Sequence, residues 1–285
     1  MCGIVGITAR RPVAPMLLES LQRLEYRGYD SAGVASLADG EIHCRRAVGK
    51  LERLREEVAA HPLDGFLGLG HTRWATHGAV TLANAHPHVG ERAALAHNGI
   101  VENYLELRGE LEGEGARFVS ESDTEVILRL MEARLAAGDA PLAAMRAVCA
   151  RLRGTLSFAW MERGHAGHLF LAHQGAAMVV GRSGEDGQGR REFYAASDAF
   201  ALPRRGEEFC RLREGECAVL SLDGAEIFAV DGGEGMPPEW VARRGAVAGM
   251  EKGNHRHFMS KEILEQPEAV ANNLRQCLNL SLIHI

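Results

Sequence analysis

A cysteine directly follows the initiator methionine in Met1-Cys2-Gly3-Ile4-Val5-Gly6-Ile7. Removal of Met1 would leave a thiol and a free α-amino group on one residue, a nucleophile with its own base attached. An α-amino group ordinarily titrates at ~7.7–8.0, near enough to neutrality to take the thiol proton through a bridging water. A thiolate made this way attacks acyl carbon. It then needs donors for the oxyanion that forms, a clamp for the substrate and a rigid strand beneath it. Three further stretches crowd polar groups at element ends. Leu24-Glu25-Tyr26-Arg27-Gly28-Tyr29-Asp30-Ser31-Ala32-Gly33 reads as a loop, either a functional one or a surface turn with aromatic lids. His71-Thr72-Arg73-Trp74-Ala75-Thr76-His77-Gly78 gathers donors and aromatics after a glycine-interleaved run. Asn98-Gly99 is a hairpin-turn dipeptide. Its neighbours are apolar, however, and a backbone N–H beside an Asn side chain also makes an oxyanion donor pair.

The elements that must hold these groups follow from apolar spacing. Residues 2–8 read as a strand, and residues 12–24 as a helix with Leu17, Leu18, Leu21 and Leu24 on one face. Strands are expected at 33–37 and 41–48, joined by an Asp39-Gly40 turn, then a helix at 50–60 and strands at 66–70 and 93–96. Asn103 with Glu106, and Ser122 with Glu125, have capping-box spacing ahead of two helices. Asp123 therefore stands at a helix N-terminus, where the dipole favours its charged form and capping is its ordinary role. A third helix covers 141–152. Strands follow at 156–161, 169–172, 178–181, 193–196, 218–222 and 227–230. These runs are apolar with weak alternation, which implies helices on one face and a second sheet on the other. Residues 232–253 read as a linker, and 260–278 as a helix interrupted by Pro267.

Bulk properties exclude several classes. A net charge of −6 leaves no basic excess for a nucleic-acid surface. No apolar run approaches the ~20 residues of a membrane span, and no signal peptide precedes the first strand, so the expected home is the cytoplasm. Cys2, Cys44, Cys149, Cys210, Cys217 and Cys277 lie far apart without a C-x-x-C pair, which argues against a disulfide framework. His86-Pro87-His88 is the best local pair for a metal, but it has no helical spacing and no Cys/Asp cluster beside it, and no metal site is expected.

The opening Cys2-Gly3-Ile4 resembles that of the class II glutamine amidotransferases, enzymes of the N-terminal-nucleophile hydrolase fold. The Tyr26-Arg27-Gly28-Tyr29-Asp30 and His71–Gly78 motifs narrow the resemblance to the branch that aminates fructose 6-phosphate. So do Asn84-Ala85-His86-Pro87-His88, the stretch from His97 to Asn103 and Ser120-Glu121-Ser122-Asp123-Thr124-Glu125. The resemblance runs from residue 1 to about 278. It implies an α+β fold, a four-layer αββα sandwich. It implies that Cys2 attacks the side-chain amide of L-glutamine, with Asn98 and the Gly99 N–H as oxyanion hole. Arg73 would clamp the substrate α-carboxylate, with Thr76 and His77 beside it, and Asp123 would meet the α-ammonium. Trp74 would gate the ammonia path, and Arg27 and Tyr29 would lie in loops around the pocket. No cofactor is implied.

Two departures touch loops rather than these residues. Ala79-Val80 stands where a proline is usual, and Ala172-His173-Gln174-Gly175-Ala176-Ala177 replaces a more polar run. The expected organisation is a glutaminase domain at 1–240, then a linker and the start of a further part at 241–285. The chain reads as a fragment, since family members continue into a sugar-phosphate isomerase domain that receives the ammonia and supports a homodimer. The alternative reading is a glutamine-binding module without turnover of its own.

Overall fold

The computed structural model describes residues 2–28, 30–75, 78–233, 237–243, 254–255 and 258–282. Tyr29, Thr76, His77, the linker residues 234–236 and 244–253, the tail 283–285 and the side chain of Arg27 lie outside that description. Two units are formed, Met1–Gly245 and Ala246–Ile285.

The first unit is built on two antiparallel sheets. Its N-terminal part runs β1 (Gly3–Thr8), α1 (Ala14–Leu24), a 3₁₀ turn (Glu25–Arg27), β2 (Ser31–Ala38), β3 (Glu41–Val48), α2 (Leu51–Ala60) and β4 (Leu67–Arg73). Next come β5 (His88–Val89), β6 (Ala93–Gly99), α3 (Tyr104–Gly113), α4 (Thr124–Ala136), α5 (Pro141–Cys149), β7 (Leu156–Glu162) and β8 (Leu169–Gln174). The unit ends with β9 (Val179–Ser183), β10 (Phe193–Ala196), β11 (Gly206–Arg211), β12 (Glu216–Ser221), β13 (Gly224–Ala229) and β14 (Val241–Ala242). One sheet has the order β14-β11-β9-β10-β1-β4-β2-β3, the other β13-β12-β8-β7-β6-β5.

Three apolar layers separate four layers of structure. Leu17, Leu21 and Leu54 of α1 and α2 pack on Val5, Ile7, Val34 and Tyr194 of the first sheet. Ile4, Leu69, Ala94, Ala96, Ala159 and Leu171 fill the space between the sheets. Val126, Leu130, Met145 and Val148 of α4 and α5 cover Leu95, Phe158 and Trp160 of the second sheet. This is the αββα sandwich expected from the sequence. β1 shows why alternation was weak: Val5 and Ile7 face helices, Ile4 faces the other sheet, and all are buried. Each such buried side chain contributes about 1.5–3 kcal/mol. Glycine in β4 serves packing as well. A Cβ on Gly68 would meet Val13 and Leu17 at 2.8 and 3.0 Å, so its absence lets α1 lie close on the sheet.

Element ends depart from expectation where side chains find other partners. β4 continues past residue 70 to Arg73, because Thr72 pairs with Gly3 and Arg73 with Ser31. The Asp39-Gly40 turn forms with both residues at positive φ (52° and 78°), the two-residue hairpin geometry. Asn103 does not cap α3. It bonds instead to the backbone of Arg151 and Arg153, holding the turn before β7. β11, unforeseen in the polar run Gly-Glu-Glu-Phe-Cys-Arg, is carried by its pairing with β9. In the second unit, α6 (Phe258–Leu282) runs through Pro267 rather than breaking there. Among the described residues no helix is long and apolar enough to cross a membrane.

Candidate active site

Strand register brings the separated motifs to one end of the sandwich. Gly3 of β1 pairs with Thr72 of β4, so Cys2 emerges beside Arg73 and Trp74. The Trp74 N–H donates to Cys2 Sγ at 3.2 Å, and the thiol faces the Trp74 carbonyl at 3.4 Å. From the second sheet, the end of β6 delivers Asn98, whose Nδ2 donates to the Cys2 carbonyl at 3.2 Å. Gly99 follows with φ +123°, and a Cβ there would stand 1.9 Å from the Thr155 carbonyl oxygen. Asn98-Gly99 is thus not a hairpin turn. β6 stays paired with β7 through Gly99 opposite Leu156.

Asp123 precedes α4 but makes no cap bond to it. Its Oδ2 accepts the Val101 N–H at 2.9 Å, which pins the segment after Gly99 to the start of α4. The ordinary capping role is taken by Ser122, whose Oγ accepts the Thr124 N–H at 3.3 Å. Glu125 reaches back to Ser120, not to Ser122 as a capping box would have it. Arg73 is buried and donates from Nη1 to the Ala79 carbonyl at 3.3 Å. Cys2, Arg73, Trp74, Gly99 and Asp123 line one cleft of ≈ 30 Å³, with Trp74, 42 % exposed, at its mouth. Two wider clefts of ≈ 330 and ≈ 320 Å³ lie elsewhere, around Phe209 and Pro237 and around Arg10 and Arg190, away from Cys2. Burial pushes the Cys2 thiol above its ordinary value, against the opposing pull of the Trp74 N–H, the chain's amino terminus and Arg73.

A cluster of buried histidines adjoins the cleft, with His86 and His97 among its lining residues. His71 Nε2 is 3.1 Å from Asn98 Oδ1, 3.2 Å from the His97 carbonyl and 3.2 Å from His86 Nδ1. Burial lowers His71 and His88 to about 3 and draws His86 and His97 down as well, so the cluster is neutral at ordinary pH.

Residues 71–202 match the family model described as a glutamine amidotransferase domain. The chain is 44 % identical over 281 residues to the glutamine–fructose-6-phosphate aminotransferase (isomerizing) of Bradyrhizobium diazoefficiens, covering 99 % of this chain and 45 % of that protein. It is 47 % identical over 268 residues to the Caulobacter vibrioides protein of the same name, covering 94 % of this chain and 43 % of that one. Over residues 71–202 the chain carries a glutamine amidotransferase domain. It spans less than half the length of the relatives it matches. Its fold is shared with the glutamine phosphoribosylpyrophosphate amidotransferase of B. subtilis, at TM-score 0.66 and 22 % identity over 80 % of this chain and 49 % of that one. A glutamine aminotransferase class-II domain protein of Silicibacter pomeroyi shows the same fold, at TM-score 0.55 and 19 % identity over 80 % of this chain and 99 % of that one.

Of the residues expected at the amidotransferase site, the structure brings together Cys2, Arg73, Trp74, Asn98, Gly99 and Asp123. Tyr29, Thr76, His77 and the Arg27 side chain are outside the described residues. Asp30 and His71 were not singled out from sequence. Asp30 Oδ2 accepts the Ala75 N–H at 2.9 Å and its own N–H donates to the Arg73 carbonyl, so it fixes the backbone on which Arg73 and Trp74 stand. The signal available was its place in the polar run after Gly28.

Two expected results arise here. A Cβ on Gly28 would sit 2.9 Å from the Arg73 carbonyl carbon and 3.0 Å from the Trp74 nitrogen. Gly28→Ala therefore shifts the thiol's backbone donor, and kcat/KM for glutamine falls by up to about 10²-fold while thermal melting moves little. Steady-state kinetics beside a melting curve checks this, and unchanged kinetics would show that the close approach is not needed. Second, alkylation of Cys2 by iodoacetamide in chain that keeps Met1 rises with pH to a midpoint above the ~8.5 of a free thiol, because burial disfavours the thiolate. Intact-mass measurement across pH reads it, and a midpoint below that of a free thiol contradicts the burial.

Proposed function

We propose that this chain hydrolyses L-glutamine to glutamate and ammonia through a γ-glutamyl thioester on Cys2. The observation that carries this reading is the convergence on one cleft of a thiol, an amide donor and two side chains of opposite charge. Arg73 suits the substrate α-carboxylate, since a guanidinium bonds a planar anion in bidentate fashion. Asp123 suits the α-ammonium, as a carboxylate has acceptor capacity beyond the one bond it makes to Val101. With both ends of the amino acid held, the side-chain amide is directed toward Cys2. Once Met1 is removed, the Cys2 α-amino group takes the thiol proton and Sγ bonds to the amide carbon. The C=O electron pair moves to oxygen, where Asn98 Nδ2 and the Gly99 N–H stabilise it. The tetrahedral intermediate collapses as the α-ammonium returns its proton to the departing nitrogen, releasing ammonia. Water, deprotonated by the same amine, then attacks the thioester, and glutamate leaves as the thiol is restored.

For the whole protein, the reading is that the ammonia aminates fructose 6-phosphate to give glucosamine 6-phosphate. That chemistry would need an isomerase domain beyond this chain, in a cytoplasmic enzyme that is a homodimer. The similarity to the two aminotransferases named above supports it. Within the chain, residues 1–240 would be the glutaminase domain and 241–285 the linker toward that partner. The test is a glutamate assay on purified chain with a mature Cys2 terminus and no sugar phosphate. Equal release of glutamate and ammonia is expected. Glutamine binding by calorimetry without any turnover would instead establish a binding module.

A further inference from the structure

The oxyanion role of Asn98 depends on which end of its side chain faces the cleft. A carboxamide is nearly symmetric in shape and opposite in polarity at its two ends. A half-turn about its last torsion costs little sterically but replaces a donor by an acceptor. Something must therefore choose the orientation, and the Cys2 carbonyl at one end and His71 at the other do so.

On one side the amide meets the Cys2 carbonyl, which only accepts, so Nδ2 belongs there at 3.2 Å. On the other side Oδ1 meets His71 Nε2 at 3.1 Å. That same Nε2 is 3.2 Å from the His97 carbonyl, a second pure acceptor. A bare Nε2 would face two oxygens with no proton between them, so Nε2 must carry the hydrogen. His71 Nδ1 is then the bare nitrogen, and among the described residues it has no hydrogen-bond partner. His86 Nδ1, 3.2 Å from the same Nε2, must likewise be bare, since two N–H groups cannot point at each other. His71 is fully buried on β4 of one sheet, and Asn98 and His97 are on β6 of the other. The contact therefore crosses the sandwich at the end where Cys2 emerges.

We propose that His71 is a positioning residue, whose Nε2–H bridges the His97 carbonyl and Asn98 Oδ1 and so holds Asn98 Nδ2 toward the reacting carbonyl. The proposal rests on the glutaminase reading above. It touches neither the nucleophile nor the amino-acid clamp. Removing the Nε2–H leaves the Cys2 carbonyl alone to oppose a turn of the amide, and each turned amide puts an acceptor where the oxyanion forms. The burial that holds the ring neutral keeps the tautomer fixed at working pH.

The test is a set of variants of the 1–285 chain, carried out together with imidazole nitrogen NMR. His71→Leu should lower kcat by at least about ten-fold, the scale of one hydrogen bond, and by no more than Asn98→Ala does. Glutamate binding by calorimetry should be unchanged. His71→Gln offers an amide N–H near the place of Nε2 and should restore most of the rate. In an Asn98→Ala background, His71→Leu should cost nothing further, because the group it orients is gone. The same fold-loss in both backgrounds would overturn the proposal and leave His71 a packing residue. NMR of the unmodified chain at neutral pH should find Nε2 protonated and Nδ1 bare. The opposite tautomer overturns the proposal whether or not the chain turns over glutamine. An inactive unmodified chain with the expected tautomer tells against the glutaminase reading and leaves the His71–Asn98 bond in place.

Discussion

Cys2→Ala is expected to lower glutamate formation by about 10⁶-fold, the scale of removing a covalent nucleophile from a site that otherwise stays intact. The loss falls in kcat. Arg73 on β4 donates to the Ala79 carbonyl and Asp123 before α4 accepts the Val101 N–H, bonds that do not pass through Cys2, so glutamine should bind to the variant nearly as before. What disappears is the sulfur that receives the acyl group and the acceptor of the Trp74 N–H. Cys2→Ser should be nearly as inactive, because a hydroxyl is far harder to deprotonate than a thiol with an amine as base. Calorimetry and a glutamate assay on the same preparations separate binding from turnover. Retained turnover in Cys2→Ala would remove the cysteine from the mechanism.

Asn98→Ala should lower kcat by about 10²–10³-fold, the cost of one oxyanion donor. Alanine leaves the Cys2 carbonyl without its 3.2 Å donor and His71 Nε2–H with the His97 carbonyl alone. Some lowering of the melting temperature should accompany the kinetic loss, since a buried donor and acceptor lose a partner. Asn98→Asp should be worse in kcat, because a carboxylate would face the oxyanion it ought to stabilise. KM should change little in either case. Should KM rise while kcat holds, Asn98 would belong to substrate binding instead.

The scaffold was largely legible because it rests on local rules. Leucine spacing marked α1, Asp39-Gly40 marked the β2–β3 hairpin, and the apolar runs marked sheets buried on both faces. The residues of the cleft are another matter. Cys2, Arg73, Asn98 and Asp123 come from four separate stretches, and spacing could not bring them together. The likeness of those stretches to a known family did. Local statistics were least informative where a side chain bonds across the fold. Asp123 sits at a capping position with helical backbone angles and gives its oxygen to Val101, and Asn103 bonds the backbone of the turn before β7. A buried strand histidine such as His71 carries no periodic signature, since only its partner on the opposite sheet distinguishes it from core.

The most direct test of Cys2 as the acyl acceptor is a rapid acid quench of the mature chain during turnover of L-glutamine, followed by intact and peptide mass spectrometry. A γ-glutamyl group should be found on the peptide that begins at Cys2, released by hydroxylamine as a thioester is, and absent from Cys2→Ala. Glutamate forming at full rate with that peptide unmodified, under a quench fast enough to hold a turnover intermediate, would contradict the covalent mechanism.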